Sequence, residues 1–251
     1  MSRRRNLVIA AAVLAVVAVG AVWFVFFRND APEAASLETA VAGLDNQSGE
    51  SGDPETTGPA AEPATPLEDL DGAWTLDTTV GSFDGFTSSW IGFRIDEELT
   101  LGAVTAVGRS PGVEGTLSLD GTTITDVSLT ADLSQLTTDD NRRDRAIRSQ
   151  GLETATFPEG NFRLLEPIIL DSIPEPETPI QVVAVGELTL HGVTNLIEID
   201  LDAQIVDDLI VVVGQAPVVL SDYGMEAPSA PVVVSVEDEG LLEFQLFFRK
   251  N

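Results

Sequence analysis

No cysteine occurs in this 251-residue chain. Disulfides, a lipid-modified cysteine anchor and thiolate metal sites are therefore excluded. His191 is the only histidine, so a zinc centre would need carboxylates around one imidazole, and no spacing provides them. Ser221-Asp222 has no histidine nearby in sequence, and no nucleophile elbow appears. Asp139-Asp140 lacks the ordered oxygen-ligand loop of a calcium site. No catalytic residue, metal or cofactor is expected, and the chain is not expected to be an enzyme.

Basic residues are scarce too. Lys and Arg number 13 against 41 Asp and Glu, giving a net charge of −28. Four of the cations, Arg3, Arg4, Arg5 and Arg28, lie in the first 28 positions, so the rest of the chain stands at −32 with nine basic residues. Such a surface excludes nucleic acid as a partner, because phosphates need cations. It also works against broad adhesion to anionic lipid.

Leu7 to Phe27 are 21 consecutive uncharged, mostly apolar residues, long enough to span a bilayer as a helix at about 1.5 Å per residue. Arg3 to Arg5 precede the run and Trp23, Phe24, Phe26 and Phe27 close it. The positive-inside bias then leaves the N-terminus in the cytoplasm and the remainder outside. Residues 1–28 are thus expected to be a single-pass anchor in the cell membrane, with an extracytoplasmic C-terminal domain. Residues 29–71 hold eleven Asp or Glu, no Lys or Arg, and much Pro, Ala, Ser, Thr and Gly. That composition predicts a disordered tether reaching about 35–40 Å. Residues 72–251 suit one domain.

Alternation dominates that domain. Val127, Leu129, Ala131 and Leu133 point one way, and Asp126, Ser128, Thr130 and Asp132 the other. Ile197 to Ile205 repeats the pattern. Period two marks strands with one dry and one wet face. Runs at Val182–Leu190, Leu209–Val213, Pro217–Leu220, Val232–Val236 and Leu241–Phe248 add further strands. His191-Gly192 reads as a hairpin turn. The one helix expected covers Asp140–Gln150, before Gly151. The class is all-β, a barrel or a sandwich, and periodicity does not decide whether the dry face packs solid or lines a lumen.

Arg142, Arg143, Arg145 and Arg148 gather in that helix, four of the nine basic residues after position 28. Arg145 lies three residues from both Arg142 and Arg148, which gives them roughly one helical face. They are candidates for an anionic head group; pairing with the acidic surroundings is the alternative.

Several motifs occur in order: Trp74-Thr75-Leu76-Asp77, then Arg143-Asp144-x-x-Ile147-Arg148-Ser149, then Phe157-Pro158 with Phe162. Gly186-Glu187-Leu188-Thr189-Leu190-His191-Gly192-Val193-Thr194 and Ser221-Asp222-Tyr223-Gly224-Met225 follow. Together they resemble the YceI-like family of polyisoprenoid-binding proteins, over nearly all of residues 73–249. The resemblance implies an extended, lipocalin-like antiparallel β-barrel with one short helix and a long apolar channel for an isoprenoid-tailed amphiphile. Two departures stand out. The histidine-serine pair of the first strand is absent, the segment after Asp77 reading Thr78-Thr79-Val80-Gly81-Ser82, and the arginine before the Ser-Asp-aromatic-Gly motif is Leu220. Both weaken the inference about a polar head.

Trp90, Phe93, Tyr223 and Phe244, with Phe247 and Phe248, are the aromatic candidates to line the channel, ordinary core packing being the other reading. The ligand-binding set is then Trp90, Phe93, Arg142, Arg145, Arg148, Tyr223 and Phe244. The expected role is extracytoplasmic binding or carriage of an isoprenoid or similar lipid without covalent chemistry. An envelope protein-interaction module with a solid core is the rival.

Overall fold

The computed structural model describes residues 31–49, 70–100 and 102–251. The expected anchor, Leu7 to Phe27, lies outside the described residues. Among the described residues no helix is long and apolar enough to cross a membrane.

The chain order is α1 (Leu37–Gly49), β1 (Gly72–Leu76), β2 (Trp90–Leu99), β3 (Gly102–Ser110), β4 (Val113–Asp120), β5 (Thr123–Asp132), α2 (Asn141–Ala146), β6 (Glu159–Leu164) and β7 (Ile168–Ile169). It continues with β8 (Ile180–Leu190), β9 (Val193–Val206), β10 (Leu209–Val219), β11 (Val233–Val236) and β12 (Glu239–Lys250). Eight antiparallel strands close a barrel in the order β1, β4, β5, β6, β8, β9, β10, β12, and β12 pairs back to β1. Closure removes the unpaired edges that an open sheet would expose. β12 serves two neighbours: Phe248 opposes Leu76 of β1, while Phe244 opposes Ile91 of β2. β1 and β2 therefore act as two halves of one wall, interrupted by the loop 77–89. The β2–β3 hairpin extends this wall, and β11 pairs with the far end of β2.

Alternation places its residues as the sequence predicts. Leu129 of β5 and Ile197, Ile199 and Ile205 of β9 are buried in the inner cluster, and Ala131 of β5 is buried and lines the lumen. The His191-Gly192 turn joins β8 to β9 with φ of 51° and 75°, the left-handed pair that such a hairpin needs. Its ring is tied down: His191 Nε2 lies 2.8 Å from Glu153 Oε2, and the ring stacks on Phe157 at 4.2 Å. The Phe157-Pro158 motif and the His191-Gly192 motif thus meet in space.

The expected disordered linker is corrected over residues 37–49, which form α1. Leu37, Ala40, Val41 and Leu44 make a stripe at helical spacing. They pack with Trp90, Leu209, Val211, Val213 and Phe247 in a second cluster on the outside of the barrel. Ser36 Oγ accepts from the Thr39 backbone N–H at 3.3 Å and caps the helix start. The physical reason for order is β10: Leu209 to Val213 are apolar at every position and all buried. A strand with two dry faces needs a cover on each, and the outer cover is α1.

Candidate binding cavity

The barrel is not filled by its own side chains. A cavity of about 600 Å³ runs through it, within the size range of ligand sites. Its walls are apolar residues of the inner faces, among them Ile91, Phe93 and Ile95 of β2, Leu117 of β4, Leu129 of β5, Phe162 of β6, Leu201 of β9 and Phe244 of β12.

Glycines keep the lumen open. The Phe244 ring lies across Gly214, the Phe93 ring across Gly108 and the Phe162 ring across Gly186; a Cβ on any of these glycines would collide with the ring. Gly in a strand interior commonly marks such a close approach. Folded flat over a neighbouring strand, the rings add apolar wall without reaching the axis.

The two ends differ. At one end the lining residues Leu70, Leu119, Ile168, Ile205 and Phe248 are all buried. At the other, Asp140, Arg142, Glu226, Ala230, Pro231 and Val232 line the cavity and are exposed, so this end is the mouth. All five charged lining residues, Glu97, Asp140, Arg142, Arg143 and Glu226, sit here. Asp140 caps α2, its side chain accepting from Arg142 N at 2.7 Å. After Ala146 the helix widens into a π-type turn over Ile147–Gly151.

The arginines take different roles. Arg143 is neutralised by Glu97, at 3.4 Å, and by Asp139. Arg148, within the π-type turn, does not line the cavity, and its Nη1 donates to the carbonyls of Leu136 (3.1 Å) and Ser134 (3.4 Å). Arg142 lines the mouth, while Arg145 stays exposed beyond the lining. Neither makes an ion pair among the described residues.

Of the aromatic candidates, Phe93 and Phe244 line the cavity; Trp90 and Tyr223 do not. Tyr223 is buried in the wall beside Asn195, and burial raises its phenol above the ordinary value. Trp90 lies on the opposite face of β2, in the outer cluster. Trp90 and Phe93 are three positions apart, and a strand turns such residues to opposite sides, so the sequence already held this correction.

Sequence reading missed a charged group under Trp90. Arg109, 4% exposed, has its guanidinium 3.9 Å from the Trp90 ring and 4.4 Å from the Phe86 ring. Arg109 and Arg94 both reach Glu243, at 3.3 and 3.6 Å, and Glu243 is fully buried. Burial lowers the Arg109 pKa and the Glu243 carboxylate partly offsets this. The signal available was two arginines within strand sequences of a chain poor in cations.

The YceI-like domain model matches residues 74–248. A polyisoprenoid binding domain from Saccharophagus degradans, implicated in plant cell wall breakdown, superposes with a TM-score of 0.54 at 20% identity, over 71% of this chain and 98% of that one. Burkholderia cenocepacia BcnA gives a TM-score of 0.50 at 14% identity, over 63% of this chain and 95% of its own. These likenesses bear on the fold. No curated protein matches the sequence.

Proposed function

This chain belongs to the YceI-like domain family, and from that premise we propose that it is a membrane-tethered, extracytoplasmic carrier of an isoprenoid or other amphiphilic lipid. The tail occupies the lumen, the polar head stays at the α2 end, and no covalent chemistry is done. The observation that carries this reading is the unfilled apolar cavity with its charges confined to one end. That same space removes the solid core on which the protein-interaction alternative depended.

Energetics favour exchange over capture. Each buried methylene is worth about 0.8 kcal/mol against water, so a long tail would nominally pass the ceiling of about 18–21 kcal/mol for real complexes. The competing state is the bilayer, which shelters the same tail. Transfer from bilayer to lumen is therefore close to balanced. At the mouth, Arg143 is already neutralised by two carboxylates. Among the described residues Arg142 is the lining cation that makes no ion pair, which suits a head that is weakly anionic or simply polar.

The test is native mass spectrometry of residues 31–251 produced with export to the periplasm of a bacterial host. The expected result is an added mass that solvent extraction releases as lipid. Protein that is consistently ligand-free, and takes up no isoprenoid offered in micelles, would end this reading.

A further inference from the structure

We propose that the mouth of the cavity is held against the surface of the membrane that bears the anchor, with Arg142, Arg145, Val232 and Val234 as the contacting residues. This rests on the anchored reading above and adds to it an orientation and a docking surface.

Residues 32–35 are bonded to the barrel through their backbone. Pro32 O accepts from Arg94 Nη2 (2.7 Å) and Glu33 O from Arg109 Nη2 (2.8 Å). The Ala35 N–H donates to Glu243 Oε2 (3.3 Å), and Ala35 O accepts from Gln215 Nε2 (2.9 Å). Two arginines and one glutamate lie beneath, an uneven buried charge set. Lifting the segment would strip acceptors from both guanidiniums, and buried cations tolerate that poorly. The segment is therefore part of the barrel rather than a loose leash.

Its direction matters most. Ala31 and Pro32 share a small cleft with Phe83, Asp84 and Phe86 of the 77–89 loop on one side and with Thr105, Thr138 and Asp139 on the other, and Asp139 pairs with Arg143 at the mouth. From there the chain descends past Glu243 to α1, which packs on Leu209 and Val206. Those two residues oppose each other beside the β9–β10 turn, at the closed end. The chain thus enters the barrel at its mouth end.

Length then decides the orientation. The apolar run ends at Phe27, and four peptide steps to Ala31 span at most about 14 Å. β9 has 14 residues, which at normal rise and barrel tilt makes a wall about 35 Å high. A leash of that length cannot bring the closed end to the bilayer. The mouth end also has suitable chemistry: Val232 and Val234 are 58% and 60% exposed, and Arg142 and Arg145 are exposed and make no ion pair among the described residues. Asp96, Glu98, Asp139, Asp140, Glu226, Glu237, Asp238 and Glu239 are exposed at this end too, so the contact works through an apolar lip and a local arginine pair, not through net charge. At the closed end Asp120, Asp171, Glu175, Glu177 and Asp207 are exposed; both ends are acidic, and it is the leash and the arginine pair beside the apolar lip that select the mouth.

The absence of cysteine makes the test direct. Full-length Val234→Cys and Ile173→Cys variants are labelled with an environment-sensitive fluorophore and reconstituted into phosphatidylcholine–phosphatidylglycerol vesicles containing bromine-labelled lipid. Val234→Cys at the mouth should be quenched several-fold more than Ile173→Cys at the closed end. Inserting twenty Gly and Ser residues between Asp30 and Ala31 should erase the difference while the protein still floats with the vesicles. Equal quenching of the two uninserted labels, or the reverse order, in protein that floats overturns the orientation alone. Protein that does not float overturns the anchor, and the orientation with it.

Discussion

Phe244 of β12 stands directly opposite Gly214 of β10, and its ring occupies the space where a side chain at 214 would begin. The same ring-over-glycine contact recurs at Phe93, opposite Gly108, and at Phe162, whose ring reaches diagonally over Gly186, and it accounts for a barrel rich in large residues whose centre is nonetheless unfilled. A ring that has a glycine beside it lies against the wall; one without would swing to the axis.

Gly214→Val should therefore push Phe244 into the lumen. Overpacking of this kind costs about 1–3 kcal/mol, and the amount of co-purifying lipid should fall several-fold. Native mass spectra and urea melts of variant and parent check both effects. Undiminished lipid occupancy in a folded variant would refute the idea that these glycines keep the cavity open.

The arginines of the α2 region should separate by role. Arg142→Ala should weaken binding of a phosphorylated isoprenoid by about three- to tenfold, as for one exposed charge-assisted bond, and leave an uncharged isoprenoid unaffected. Arg148→Ala should instead reduce stability, because Leu136 O and Ser134 O lose their donor. Competition binding with the two lipids, alongside thermal melts, distinguishes them.

Among the described residues Glu243 is the sole carboxylate that pairs with Arg94 and Arg109. Glu243→Ala should cost about 3–5 kcal/mol by leaving buried cations uncompensated. Denaturant unfolding measures this, and a loss below about 1 kcal/mol would mean that water already reaches the group.

Removing residues 1–69 should expose Leu209, Val211, Val213 and Phe247, which α1 and the preceding segment cover. Compared with residues 31–251, the shorter protein should melt lower and self-associate in size-exclusion chromatography. Identical behaviour would show that α1 contributes nothing to the outer wall.

Acid should act through Asp132. Hydrogen bonds from Ser134 and Gln135 hold its carboxyl below the ordinary value, against a smaller opposing effect of burial. A carboxyl depressed in the folded state contributes stability above its unfolded pKa, near about 3.9, and loses it as pH falls through the folded value. The stability difference between parent and Asp132→Asn should thus be constant from pH 5 to 8 and shrink below pH 4. Chemical denaturation across that range is the measurement.

Much of the fold was legible in the chain. Period-two runs such as Ile197 to Ile205 became strands, the Asp140–Gln150 stretch became α2 and its continuation, and the ordered motifs pointed to the family. The site was legible in part. Phe93, Phe244 and Arg142 meet at the cavity, whereas Trp90 was assigned by residue type where strand parity decides, and Arg148 where its bonds to Leu136 O and Ser134 O decide. The helix inside the acidic linker was also hinted at by the unbroken apolar run Leu209 to Val213, which one dry face does not explain.

Composition and periodicity by themselves determined the class of fold, the charge and the exclusion of thiol chemistry, since each depends only on which residues occur and at what spacing. Whether the barrel is hollow was decided by tertiary structure. Strand register sets which residue lies under each ring, directly opposite for Phe244 and Phe93 and diagonal for Phe162, and the ring lies against the wall because that residue is glycine. The direction in which the N-terminal segment crosses the barrel is likewise set by Arg94, Arg109 and Glu243, which only closure of β2, β3 and β12 brings together.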